Sequence, residues 1–224
     1  MSSLKQQSVV GIIWNLTEKF GLYLIKFIIG IILARLLTPE DFGLVGMIYV
    51  FFAVAEVFVK AGFGAAYVQK KDVSDKDANT IFYFNLTISI LLYGLLYTGA
   101  PLIADFYRQP ALIDITRVMG LVVVINAFNI IQVAQITRAV NFKRRAKVTM
   151  AATLMSGSVG ITSAYLGMGV WALVIQSMLN RILITLGFWI TSSWKPRWQF
   201  SIDSFREMFA FGSWMLFASI IRKI

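Results

Sequence analysis

The sequence predicts an all-α fold: a polytopic membrane helix bundle made of one six-helix lobe and the start of a seventh transmembrane helix. Three observations predict it. Of 224 residues, 58% are hydrophobic and only 14% charged, against roughly 45–50% apolar and 25% charged in a soluble domain, and the mean hydropathy is +0.73. Apolar stretches long enough to span a bilayer, about 20 residues each, recur almost end to end. The breaks between them are short and carry Pro, Gly or capping residues.

The first stretch, Val9 to Leu37, is too long for a signal peptide and carries Glu18, Lys19 and Lys26 in its body, with no small-residue cleavage site after a short apolar core. It reads as a permanent helix. Thr38-Pro39-Glu40-Asp41 then stops it and starts the next, because Pro fixes φ and acids favour a helix N-terminus. The second stretch is Phe42 to Val68 and the third Ala78 to Phe106; Gln109-Pro110 separates the third from the fourth, Ala111 to Gln135. Lys147 to Leu166 and Val170 to Ser192 follow, joined by Gly167-Met168-Gly169 in a turn tight enough to make them antiparallel neighbours. Ser193 to Trp198 forms an aromatic and basic interfacial linker, and Asp203 is the expected N-cap of a last stretch, Phe205 to Ile224. The domain layout is therefore a transmembrane lobe over 1–192, a cytoplasmic linker over 193–204, and the beginning of a second lobe over 205–224.

There are 21 Lys and Arg against 11 Asp and Glu, a formal charge of +10. Its distribution sets orientation. With the N-terminus in the cytoplasm, Lys5, Lys70, Lys71, Lys76, Arg138, Lys143, Arg144, Arg145, Lys147, Lys195, Arg197 and Arg206 all fall inside, and the outer turns hold only Arg35, Arg108 and Arg117. The basic residues form no stripe, so no nucleic-acid partner is expected. With no His and no Cys, imidazole base catalysis, thiol nucleophiles, disulfides and the usual zinc and iron-sulfur ligand sets are excluded. No cofactor, catalytic residue or metal site is assigned. The absence of a GxxxxGK[ST] segment excludes a P-loop ATPase within this chain.

The informative residues are charges inside the spans, since an ionised group at mid-bilayer costs about 3 to 10 kcal/mol or more and needs a partner or water. Lys19 and Lys26 are seven apart on one helix face, with Asn15 and Glu18 close by; Glu56 and Lys60 are four apart; Ser177 and Arg181 share a face beside Gln176 and Asn180. Asn85, Ser89, Tyr93 and Tyr97 make a stripe at spacings of four. One reading is structural: Glu56 pairs with Lys60 in its own helix, and the stripes glue helices together. The other is a hydrated cationic cavity, with Lys19, Lys26, Lys60 and Arg181 for an anion, Asn15, Asn85 and Tyr93 nearby for substrate or water, and Glu18 and Glu56 as sites for a coupling ion. Asn126, Asn129 and Gln132 drift around their helix and read as hydrogen bonds to neighbours, Ala152, Ser156, Gly160 and Ala164 as a close-packing face, and Asp114 with Arg117 as a surface ion pair.

The segment Leu33 to Gly43, LARLLTPEDFG, resembles polysaccharide exporters of the multidrug/oligosaccharidyl-lipid/polysaccharide flippase superfamily. Phe142-Lys143-Arg144-Arg145-Ala146, Gly169-Val170-Trp171-Ala172-Leu173 and Trp194-Lys195-Pro196-Arg197 are similar to the branch that holds colanic acid and lipopolysaccharide exporters. The resemblance implies a multi-pass protein of the bacterial inner membrane, with two six-helix lobes around a central cavity. It further implies translocation of undecaprenyl-pyrophosphate-linked oligosaccharide to the periplasmic leaflet by alternating access. Expected partners are the lipid-linked oligosaccharide, membrane lipids, and a polysaccharide polymerase with other assembly proteins. One lobe and part of a seventh helix make this the expected N-terminal half of a longer exporter. The alternatives are a cation-coupled drug antiporter of the same superfamily, which would lean on acids, and a membrane-embedded sugar or lipid transferase, disfavoured by the missing His and the lack of an interfacial acid cluster.

Overall fold

An apolar medium offers the backbone no hydrogen-bond partners, so the long apolar stretches have to become helices. The structure, a computed structural model, describes the backbone of residues 4–60, 63–139 and 141–209, and the side chains in that range except those of 4–19, 57, 58 and 60. Its helices are α1 (Leu4–Leu36), α2 (Pro39–Lys60), α3 (Phe63–Gln69), α4 (Asp75–Tyr107), α5 (Leu112–Ala127), α6 (Ile130–Arg138), α7 (Phe142–Tyr165) and α8 (Val170–Thr191), and residues 202–209 are helical as well. Among the described residues there is no strand, and α4 and α8 are long and apolar enough alone to cross a membrane, while α5 and α6, bent by 43° at their break, are so only when taken together.

Among the described residues the second predicted stretch is helical over α2 and α3. The fourth, read from sequence as one span, breaks between α5 and α6, where the Asn129 N–H donates to Asn126 O at 3.1 Å in a tighter turn. Asparagines offer the backbone local alternatives to the helical ladder, and hydropathy does not register them.

Helix ends are capped within the chain. The Thr38 N–H and hydroxyl both donate to Asp41 Oδ2 (2.9 and 2.8 Å), and the Asp41 N–H donates back to Thr38 Oγ1 at 3.3 Å. This is a capping box with Pro39 at the first helical position. Ser74 and Asp77 form a second such box at α4. After α7, the Gly167 N–H donates to Ala164 O and the Met168 N–H to Ser163 O, a Schellman closure that needs the left-handed φ of +77° at Gly167. Gly169 follows with φ +53°, and a Cβ there would stand 3.2 Å from Asp41 Oδ1. Arg108 closes α4 in the same left-handed region, φ 54° and ψ 39°. Asp203 is not the N-cap of the last helical segment: the Ser204 N–H donates to Ser201 Oγ at 3.3 Å, because that helix starts at residue 202, three residues before its apolar pattern does.

The chain divides into two compact units, Met1–Met47 with Ile136–Ile190, and Ile48–Gln135 with Thr191–Ile224. In the first, α1 lies along α7. Ala152, Ser156, Gly160 and Ala164 are buried, as their spacing predicts. At Gly160 an added Cβ would sit 2.8 Å from Gln176 Cβ on α8, and at Gly187 it would sit 2.6 Å from Val148 Cγ1 on α7. Asn180 reaches from α8 to α7, donating to Ser156 Oγ at 3.1 Å and Thr153 Oγ1 at 3.4 Å. Phe20, Tyr23, Leu24 and Phe27 of α1 are all exposed, an apolar surface suited to lipid rather than water.

In the second unit α4 packs along α5, and Tyr93 closes over Gly120, where an added Cβ would meet its ring at 3.0 Å. A strap over 194–209 lies across the start of α4. The Arg197 N–H donates to Asn79 Oδ1 at 2.9 Å and the Ser201 N–H to Thr80 Oγ1 at 3.0 Å. Trp198 stacks on Tyr83 with centroids 5.0 Å apart, and Trp194 meets Phe82 edge-on at 5.7 Å.

The glycine contacts make a differential prediction. Gly160→Ala drives its Cβ into a neighbouring Cβ that cannot rotate away, so unfolding of the purified protein shows a loss of about 1–3 kcal/mol. Gly94→Ala in α4, with nothing within 4 Å of the new Cβ, gains about 0.5–1 kcal/mol from helix propensity.

Candidate functional site

The candidate site residues divide between the two units. Asn15, Glu18 and Lys19 in α1, and Lys60 at the end of α2, have side chains outside the described residues. Lys26 on α1 and Arg181 on α8 belong to the first unit; both are exposed, and neither makes an ion pair among the described residues. Their polar neighbours on α8 do something else. Asn180 bonds to α7 and Gln176 packs on Gly160, so the α8 polar set contains both glue and an exposed cation.

Glu56, Asn85 and Tyr93 belong to the second unit. Glu56 is half-buried and accepts from Asn126 Nδ2 at 3.3 Å, which ties α2 to α5. Asn85 is buried and donates to Ile81 O at 2.9 Å, and Ser89 donates to Leu86 O at 2.8 Å. The stripe they open continues through Tyr93, pressed on Gly120, to Tyr97. Asn126 thus bonds to a neighbouring helix as its spacing predicts, whereas both amide atoms of buried Gln132 have no hydrogen-bond partner among the described residues.

Arg117 departs from its expected role. It makes no ion pair with Asp114 among the described residues; its guanidinium carbon lies 4.6 Å from the centroid of the Tyr97 ring. Tyr97 stands ten residues before the end of α4, roughly 15 Å along a helix rising 1.5 Å per residue. The seam between α4 and α5 therefore draws this cation away from the turn, where a π face offers attraction without a carboxylate. Sequence carries the Tyr97 spacing but not the register of α5 against α4.

The strap residues were also missed. Asn79 and Thr80, two polar residues just inside a span, were their only sequence signal. Beside them Lys70 Nζ lies 3.2 Å from Asp77 Oδ2 and 2.7 Å from Glu207 Oε2. The hydrogen bond to Glu207 is the largest influence that raises the Lys70 pKa, the Asp77 bond and both carboxylate charges act the same way, and partial burial opposes them. No group of three or more His, Cys, Asp or Glu placed to hold a metal ion occurs among the described residues.

Apolar helices with charges held in their seams define a polytopic helical membrane protein. Residues 32–224 match the polysaccharide biosynthesis protein family, and the chain belongs to it. The teichuronic acid biosynthesis protein TuaB of Bacillus subtilis (strain 168) is 24% identical over 226 residues, 100% of this chain and 47% of that protein. The succinoglycan biosynthesis transport protein ExoT of Rhizobium meliloti (strain 1021) is 25% identical over 211 residues, 94% of this chain and 43% of that protein. The lipopolysaccharide biosynthesis protein WzxC of Escherichia coli (strain K12) is 21% identical over 224 residues, 99% and 46% respectively. The chain spans less than half the length of these curated relatives. No solved structure matches it. The family agrees with the resemblance read from LARLLTPEDFG.

The raised Lys70 pKa fixes a sign. A lysine held above its unfolded value, about 10.4, stabilises the fold fully below that pH and ceases to as pH climbs through the folded value. Lys70→Met is therefore expected to lower stability at pH 7 by about 1 kcal/mol or less, and the gap from the parent protein should close in thermal melts taken above pH 10.4.

Proposed function

We propose that the chain forms the N-terminal lobe of a bacterial inner-membrane exporter that moves undecaprenyl-pyrophosphate-linked oligosaccharide, an exopolysaccharide or lipopolysaccharide repeat unit, from the cytoplasmic to the periplasmic leaflet by alternating access. The observation that carries this reading is the family match over residues 32–224, supported by relatives whose names place them in transport and polysaccharide assembly. The excess of Lys and Arg in alternate loops supports a cytoplasmic N-terminus.

The physics of the task fits the residues. A sugar diphosphate must cross roughly 30 Å of hydrocarbon while its polyprenyl tail stays in lipid, and a hydrated cationic path removes most of that cost. Lys19, Lys26, Lys60 and Arg181 serve the diphosphate as charge-assisted donors. Lys26 and Arg181 support the assignment by being exposed and making no ion pair among the described residues. Asn15, Asn85 and Tyr93 serve sugar hydroxyls or water, and Glu18 and Glu56 a coupling proton or sodium ion, with Asn126 against Glu56. The work is binding and movement, with no covalent chemistry. A polysaccharide polymerase and other assembly proteins are its partners.

The test is mass spectrometry of lipid-linked oligosaccharides in cells lacking the full-length gene. Complete sugar units are expected to accumulate on the polyprenyl carrier and to clear on re-expression. Lys26→Glu in the full-length protein should abolish clearance while membrane insertion persists, and Arg181→Lys should keep it. Unchanged clearance would remove Lys26 from the path, an unchanged pool would overturn export, and incomplete sugar units would point to an enzyme.

A further inference from the structure

The strap is held in two chemically different ways. Its first part is anchored: Trp194 is 8% exposed against Phe82, and the Arg197 and Ser201 amides donate to Asn79 and Thr80, which are 0% and 1% exposed. Pulling it away would leave buried polar groups unpaired, at the full desolvation cost of each. The second part, the helix over 202–209, is held by Lys70 to Glu207, whose side chain is 62% exposed. Water replaces that contact at little cost. Asp77, the other carboxylate on Lys70, also takes a hydrogen bond from Ser204. It does not depend on either, because the Ser74 N–H donates to it at 3.0 Å within the capping box.

Beyond these polar contacts the helix rests on apolar ones, with Met208 2% exposed. Phe205 lies 6.3 Å from Phe63 at an interplanar angle of 18°, and 4.9 Å from Phe84; Phe209 lies 6.2 Å from Phe63. Apolar rings impose no directional bond and tolerate sliding. Late in the first part, Phe200 is 55% exposed, and the Gln199 N–H turns back onto Arg197 O at 2.7 Å. Ser201 is the last residue anchored to α4, so the joint between the two parts falls between it and Ile202.

We propose that residues 194–209 are a two-part latch: the stretch anchored on Asn79 and Thr80, up to Ser201, stays fixed, while the helix over 202–209 swings about the Ser201–Ile202 joint when Lys70 releases Glu207. The Lys70–Glu207 pair is the catch, at the α3–α4 corner. Using the swing for transport rests on the exporter reading, but the swing itself does not.

The experiment is distance measurement by pulsed electron paramagnetic resonance on the full-length protein in lipid vesicles. This chain contains no Cys, so within it introduced thiols label alone. Spin labels go on exposed positions outside the latch contacts, Asp72→Cys with Arg206→Cys across the catch, and Lys76→Cys with Lys195→Cys across the anchor. The catch pair should give a short and a long population, and Glu207→Gln should enlarge the long one about threefold, within what a surface ion pair supports. The anchor pair should give one narrow distance in both proteins. A single unchanged distance across the catch would overturn the latch, as would equal broadening across the anchor, which would mean that the strap moves as a whole. Neither readout depends on export, so a failed clearance assay and a failed latch are separable.

Discussion

One constraint underlies this molecule: hydrocarbon cannot hydrogen-bond, so polar groups on spanning segments are driven to partners within the chain. Most side-chain hydroxyls show how this is met, with Thr116 Oγ1 an exception among the described residues. Thr87, Thr98, Thr149, Thr153, Ser158, Thr162 and Thr185 each donate to the carbonyl four residues back in their own helix. A hydroxyl folded down in this way costs little in an apolar setting. Helix ends obey the same rule through the Thr38–Asp41 and Ser74–Asp77 boxes and the left-handed closures at Gly167 and Arg108.

Once the backbone and hydroxyls are settled locally, the longer polar groups divide by whether a neighbour can reach them. Asn180 and Asn126 cross to other helices and fix their register. Lys26 and Arg181 have no such bond among the described residues, and these remain available to a ligand or to lipid headgroups. Arg117 sits between the two cases, held by a ring face. Helix packing and candidate chemistry therefore draw on the same residue types, and only geometry separates them.

This explains what the sequence could and could not reveal. Hydropathy and period locate α1, α4, α7 and α8 to within a few residues, because one residue-level property, apolarity, decides their existence. The small-residue face of α7 is legible for the same reason, since spacing alone puts Ala152, Ser156, Gly160 and Ala164 in line. The break between α5 and α6 is not legible, because it falls inside an apolar run where hydropathy does not change and only the backbone turn at Asn126 and Asn129 marks it. Arg117, Ser201 and the strap were missed because their partners lie on other segments: which residue of α5 reaches Tyr97, or which amide of the strap reaches Asn79, is set by packing that one-dimensional patterns do not contain. Of the candidate site, the residue types were legible and the split of α8 into glue and exposed cation was not.

The strap also constrains how the protein is made. The amides that satisfy Asn79 and Thr80 lie 118 and 121 residues further along the chain. At about 5–20 residues per second, a ribosome needs roughly 6 to 24 s to supply them. During that interval the start of α4 holds two acceptors awaiting donors that do not yet exist, so it must wait where water can serve in their place. Final seating of α4 is therefore a late event in biogenesis, gated by emergence of the segment after α8 and not by insertion of α4 itself.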